Sequence, residues 1–316
     1  STRSLHLGTG MSQGCDLNND GIDDTILGSW PDSAALLVVY VLFGHNSNAP
    51  WPSSGVISTA DISASPLLGF KIIPGTVTNH WSTYFGFRTA KCVKDWNGDG
   101  FNEILVSDSA ADSKRGRAVL VYGRSSWPSI INISDLSLVG SSVVFTTRVT
   151  TKQDLGQAVE SVDLNVDGYV DLIISAYSAE GGAGAVHVIW GQEGNHSTPL
   201  PSIMPLPVTS IDQGCYLIGS SYLGWAVTSG DINGDNNDDL VLSEYGDITI
   251  RILLASPVTT WSIGMLLDTT CAKFTSFSGE TFSYALSSGD INGDGFDDVF
   301  ISAYSALVNK TGRLYI

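Results

Sequence analysis

The chain has 316 residues, 43% of them apolar, enough to bury a sizeable core. Its formal net charge of −17, with only 15 Lys and Arg and no basic run, excludes a nucleic-acid phosphate backbone as partner. The longest apolar stretch, Ala34–Phe43, is far too short for a membrane-spanning helix, so no membrane span is expected in this chain.

In chain order, one nine-residue loop recurs five times, at residues 16–24, 95–103, 163–171, 231–239 and 290–298. Positions 1, 3, 5 and 9 carry side-chain oxygens. In loop one these are Asp16, Asn18, Asp20 and Asp24, and in loop two Asp95, Asn97, Asp99 and Glu103. Loop three has Asp163, Asn165, Asp167 and Asp171, loop four Asp231, Asn233, Asp235 and Asp239, and loop five Asp290, Asn292, Asp294 and Asp298. Position 7 adds a backbone carbonyl, from Ile22, Phe101, Tyr169, Asn237 and Phe296 in turn. Such a set suits a hard cation that takes six to eight oxygens, and Gly at position 6 allows the sharp turn. The pattern therefore predicts up to five Ca2+ ions, held as structural rather than catalytic metals. Affinities of roughly 10⁻⁴–10⁻³ M are expected, as in extracellular modules. The ligand positions hold 15 of the 32 acidic residues, so five ions would leave a net charge of about −7, ordinary for a soluble domain. Asp/Asn/Gly clusters also make plain turns, but five of them inside one flanking pattern argue against that reading. Loop four has Asn236 in place of Gly and loop two closes on Glu103, so these two are expected to be the weakest sites.

The loop starts are 79, 68, 68 and 59 residues apart. Upstream of four of them lies a short apolar element: Phe85-Gly86, Leu155-Gly156, Leu223-Gly224 and Phe282-Ser283. Downstream come buried-strand signatures, Ile104–Val106, Leu172–Ile174, Leu240–Leu242 and Val299–Ile301. A Ser/Ala-rich turn is expected next, such as Ser175–Ser178 or Ser302–Ser305. A third strand follows at Leu36–Phe43, Arg117–Tyr122, Ala185–Trp190, Ile248–Leu254 and Arg313–Ile316, and a less regular fourth, as at Gly69–Ile72 and Cys215–Ile218. The Arg115-Gly116-Arg117 triplet reads as the turn before a third strand. Repetition of a four-stranded unit predicts an all-β fold, a β-propeller with five blades present, at about residues 1–75, 76–148, 149–218, 219–275 and 276–316 of a single domain.

These features resemble the FG-GAP repeat family, the blades of the integrin α-subunit propeller and its bacterial and protist relatives. Phe85-Gly86 and Leu155-Gly156 match the FG element, and Leu27–Pro31 and Ser302–Ser305 loosely occupy the GAP position. The run Gly184–Gly191 matches the strand after it. The likeness covers essentially the whole chain. It implies a seven-bladed ring, against five units here, so the alternatives are a true ring of five, a piece of a longer protein, and a ring completed by another subunit's strand. A longer natural protein is the expectation, and the start at Ser1 without a signal peptide suggests a mature or trimmed form. The likeness also implies an adhesion or protein-interaction role, or a structural, fibril-forming assembly, with the partner face opposite the calcium loops.

Cys15 and Cys92 both precede a loop at equivalent strand ends and are the disulfide candidates; Cys215 and Cys271 sit less naturally for pairing. Asn132, Asn195 and Asn309 head glycosylation sequons. Even cysteines, sequons and millimolar-type calcium loops together point to a secreted or cell-surface glycoprotein. Eight tryptophans, Trp51 and Trp127 among them, raise a glycan-binding alternative, although blade packing explains them better. An accessory propeller of a larger extracellular enzyme is the other alternative. The chain itself is expected not to be an enzyme: His6, His45, His80, His187 and His196 form no motif, and His187 reads as a satisfied core residue.

Overall fold

The computed structural model describes residues 5–12, 14–31, 38–45, 58–74, 85–86, 89–133, 142–191, 202–246, 249–267, 272–275, 284–303 and 312–316. Trp51, Asn195, Cys271, Phe282 and Asn309 lie outside them. The chain forms two compact units, residues 1–146 with 192–204 and residues 147–191 with 205–316.

The strands fall into five sheets, the blades of a β-propeller. Blade one is built from β1 (Leu5–Ser12), β2 (Thr25–Pro31), β3 (Val39–Leu42) and β4 (Gly69–Ile73). Its last two strands are linked through the helix α1 (Thr59–Ala64), which Ser58 and Asp61 cap reciprocally. Blade two follows with β5 (Ala90–Val93), β6 (Glu103–Asp108), β7 (Arg117–Val121), the short β8 (Ile130–Asn132) and β9 (Ser142–Thr147). Blade three has β10 (Leu155–Val162), β11 (Asp171–Ala176), β12 (Ala185–Ile189), the short β13 (Ile203–Leu206) and β14 (Gly214–Ile218). Blade four has β15 (Leu223–Gly230), β16 (Asp239–Glu244), β17 (Thr249–Leu253), the short β18 (Met265–Leu266) and β19 (Ala272–Thr275), and blade five β20 (Leu286–Gly289), β21 (Asp298–Ala303) and β22 (Arg313–Tyr315).

The calcium-pattern loop joins the first two strands of every blade, an antiparallel pair. The second strand is the buried centre of the sheet: β6, β11 and β16 are inaccessible along their whole length. That burial on both faces explains why their sequences run as near-continuous apolar stretches rather than alternating.

Of the expected turn Ser175–Ser178, Tyr177 and Ser178 do turn, closed by the Ala179 N–H on the Ala176 carbonyl at 2.9 Å, but the first two residues belong to the strand. Ser175-Ala176 and Ser302-Ala303 complete β11 and β21. The serine is needed because the FG element makes the first strand bulge. Leu155 pairs with Ala176 and Val159 with Ile174, so β10 carries two extra residues there, and β15 repeats the irregularity. Gly156 and Gly224 take φ of 86° and 87° to enter the bulge. The Ala158 N–H, left without a strand partner, donates to Ser175 Oγ at 2.9 Å; Ala226 donates to Ser243 and Ala285 to Ser302 in the same way. A Cβ on Gly224 would meet Ser175 Cβ at 2.6 Å, so this glycine also lets blade four approach blade three.

The short strands were not legible in the sequence. Each of β8, β13 and β18 arises between the third and fourth strands of its own blade but extends the outer edge of the preceding blade's sheet. β8 runs parallel to β4 and β18 parallel to β14, while the Val144 N–H meets the Ser202 carbonyl at 2.9 Å beside β13. Edge strands that a fourth-strand reading leaves open are thereby covered.

One apolar cluster joins blades one and two, through Leu17, Phe70, Val106, Val119 and Trp127. Trp127 stacks on Phe70 at 4.6 Å, so it is a packing residue and not an open platform. A second cluster joins blades three and four and includes Leu164, Val186, Cys215, Leu240 and Trp261. A third links blades four and five through Val241, Ile250 and Ala303. Blade four also buries an ion pair, with Arg251 Nη2 2.8 Å from Glu244 Oε2 and Arg251 Nη1 donating to the Leu267 carbonyl at 2.6 Å.

Candidate metal centres

All five loops share one hydrogen-bond scheme. The position-5 N–H donates to the position-1 carboxylate and to the position-3 amide oxygen, at 3.0 and 3.0 Å in loop one and 3.1 and 2.8 Å in loop four. The position-6 N–H reaches the other position-1 oxygen, at 2.6 Å from Gly21 and 2.8 Å from Asn236. The position-7 N–H donates to the position-5 carboxylate at 2.9–3.0 Å throughout. The side-chain oxygens of positions 1, 3 and 5 are thus gathered on one side of a tight turn.

Position 6 is left-handed in every loop, with φ of 84° to 92° at the four glycines and 66° at Asn236. Asn236 therefore keeps the scheme of the glycine loops. Position 4 is left-handed as well, at Asn19, Gly98, Val166, Gly234 and Gly293. This second requirement escaped sequence reading because three residue types share it.

Position 9 differs from the other ligand positions. Asp24, Glu103, Asp171 and Asp239 are at most 1% exposed. Asp24 accepts the Leu17 N–H at 2.7 Å and the Gly44 N–H at 2.8 Å; Asp171 accepts Leu164 at 2.9 Å and Gly191 at 2.8 Å. The residue thus ties the loop to the end of the third strand. Glu103 does the same from a longer arm, taking the Trp96 N–H at 2.7 Å. Gly44 and Gly191 have no room for a side chain, since a Cβ would lie 2.4 Å from the Asp23 and Val170 carbonyl oxygens.

Burial pushes the carboxyls of Glu103 and Asp171 up to about 8, and that of Asp24 to about 6, with the loop's other acids adding to each rise. Burial raises Asp239 too. Such groups need a proton or a cation to offset their charge. Glu103 Oε1 and Asp239 Oδ2 are buried without a well-formed hydrogen bond, although the Gly123 and Ile232 amides lie near these carboxylates. The ligand oxygens of Asp95, Asp99 and Glu103 lie within 4.8 Å of one another. An all-oxygen, multi-carboxylate set with incompletely bonded buried oxygens fits a hard divalent ion.

The remaining candidate residues separate from these centres. The structure joins Cys15 and Cys92, with Cα atoms 6.0 Å apart. Cys215 is a buried free thiol that burial pushes up to about 12. Asn132 ends β8, half-buried between Ile131 and Ile133. His187 lies in the core as its sequence context suggests, but it is not satisfied: Nδ1 has no hydrogen-bond partner, and burial lowers its pKa to about 4. Arg115 and Arg117 both bind Asp112 in the turn leading into β7.

Residues 155–189 and 282–316 match the family model described as FG-GAP repeat. The chain carries FG-GAP repeats. The two matches fall on blades three and five and include their metal-pattern loops. This FG-GAP propeller is 30% identical to human integrin alpha-IIb over 198 residues, 59% of this chain and 17% of that protein. It is 30% identical to Drosophila melanogaster integrin alpha-PS2 over 118 residues, 34% of this chain and 8% of that protein. Bovine phosphatidylinositol-glycan-specific phospholipase D is 29% identical over 157 residues, 47% of this chain and 17% of that protein. The chain thus spans less than a fifth of the length of each of these relatives. Among the described residues no helix is long and apolar enough to cross a membrane.

Proposed function

We propose that this FG-GAP propeller is a non-enzymatic, calcium-stabilised module that binds a protein partner outside the cytosol. The carrying observation is the fivefold repeat of one oxygen-lined turn, closed in loops one to four by a buried acid. The ions would be held by the side-chain oxygens of positions 1, 3, 5 and 9 and the carbonyl of position 7. Each would neutralise the loop's three carboxylates, which among the described residues lie within 4.8 Å of one another in loop two, and so stiffen the hairpin. Five loops of one hydrogen-bond scheme, repeated on five blades, suit a scaffold better than a reaction centre. Similarity to integrin alpha chains supports a protein partner, and the Cys15–Cys92 pair supports an oxidising compartment. Similarity to a phospholipase D favours a second reading, a propeller accessory to a larger enzyme.

Native mass spectrometry with calcium titration tests the metal reading. Up to five ions are expected to bind, and each should add about 2.7 kcal/mol of stability at a hundredfold excess over Kd. A chain that retains no ion, with the same melting temperature in millimolar calcium and in chelator, would refute it.

A further inference from the structure

Loops four and five are hydrogen-bonded to each other. The N–H of Asp231, position 1 of loop four, donates to Asp297 Oδ2 at 3.1 Å, and the Asp297 N–H donates back to the Asp231 carbonyl at 2.8 Å. Asp297 is position 8 of loop five, a position that supplies no ligand in the repeat. It lies between Phe296, whose carbonyl is a ligand, and Asp298, which closes the loop. Close packing supports the clamp. A Cβ on Gly230 would come within 2.5 Å of Asp297 Oδ2, and one on Gly234 within 2.4 Å of the Phe296 ring. Loop four also holds the buried Asp239, which accepts the Ala255 N–H at 2.9 Å. Unit one repeats the device in part: Asn102, position 8 of loop two, donates from Nδ2 to the carbonyl of Asp16, position 1 of loop one, at 2.7 Å.

We propose that Asp297 couples the metal sites of loops four and five, so that calcium in one raises the affinity of the other. This rests on the reading of the loops as calcium sites. When loop five closes, Phe296 and Asp298 are fixed on either side of Asp297. The two hydrogen bonds then hold the Asp231 backbone in the pose that presents its carboxylate to the amides of Asp235 and Asn236. Loop four binds with less left to order, and by linkage the effect runs equally in reverse. Asp297 is thus a positioning residue for loop four.

The test is a calcium titration of the full chain, followed by NMR at the Asp235 and Asn236 amides, which report loop four alone. Asp290→Ala disables loop five and should weaken loop four about fivefold or more, the lower end of typical coupling. Asp297→Ala, with both ligand sets intact, should weaken loop four to the same level, and adding Asp290→Ala should weaken it no further. Asp297→Asn keeps an acceptor oxygen and should retain wild-type coupling. Unchanged loop-four affinity in Asp290→Ala overturns the coupling, as does additive loss in the double variant. No calcium response at any loop of the wild type overturns the metal reading itself, and the coupling with it.

Discussion

At the residue scale, Val166 carries a local conflict. It is a β-branched residue at φ 59°, in position 4 of loop three, where loop one uses Asn19 at 60°. The left-handed region crowds Cβ against the following carbonyl and costs about 1–2 kcal/mol for an ordinary residue. Val166→Asn is therefore expected to raise the unfolding free energy by about 1 kcal/mol in urea titrations at fixed calcium. No gain would show that the turn carries no such strain. His187 presents a different cost. Its folded pKa of about 4 lies below the ordinary 6.5, so the unfolded chain takes up its proton first as pH falls. Its contribution is fully present above pH 6.5 and is lost toward pH 4, amounting to up to about 3 kcal/mol. Glu180 and Tyr216 share the small cavity with it. The stability difference between wild type and His187→Gln should slope across that window, because acids common to both cancel. A flat difference would mean that the imidazole titrates normally in the fold.

At the scale of the element, the bulge and its serine form one unit. Ser175→Ala removes the acceptor of the Ala158 N–H and should cost about 1 kcal/mol, the low end for an unmet donor, because Ala158 is half-buried. Thermal melts of Ser175→Ala and of the equivalent Ser243→Ala should fall alike; a neutral change at both would show that water replaces the hydroxyl. The loops and the central strands were legible in the sequence because each rests on contacts within about twenty residues. Composition places Ser175 in the turn that Tyr177 and Ser178 form, whereas its role within β11 exists only because the opposite strand bulges. The short edge strands were invisible for a related reason. The two or three residues of β8 and β18 carry no period, and their partners Lys71 and Leu217 lie tens of residues away.

For the molecule as a whole, each cluster of buried residues takes side chains from two blades, so a blade draws stability from its neighbour. Cys15–Cys92 adds a covalent tie between blades one and two, closing a separation of 77 residues. Loop-closure entropy assigns such a tie about 4 kcal/mol. Replacing both cysteines by serine should lower the unfolding free energy by that order in urea titrations, and a loss below about 1 kcal/mol would mean that loop closure does not set the contribution of this bond. The amino-acid sequence by itself determined the repeat, the all-β class and the oxygen set of each loop, because a nine-residue turn and a buried strand are written in local residue types. Only the tertiary structure decided that position 9 is a buried clamp in loops one to four, that position 8 of loops two and five reaches the preceding loop, and that the edges of blades one to three are covered by strands from the next repeat. Those features depend on backbone amides brought together from separate repeats, and a backbone amide has no letter of its own in the sequence.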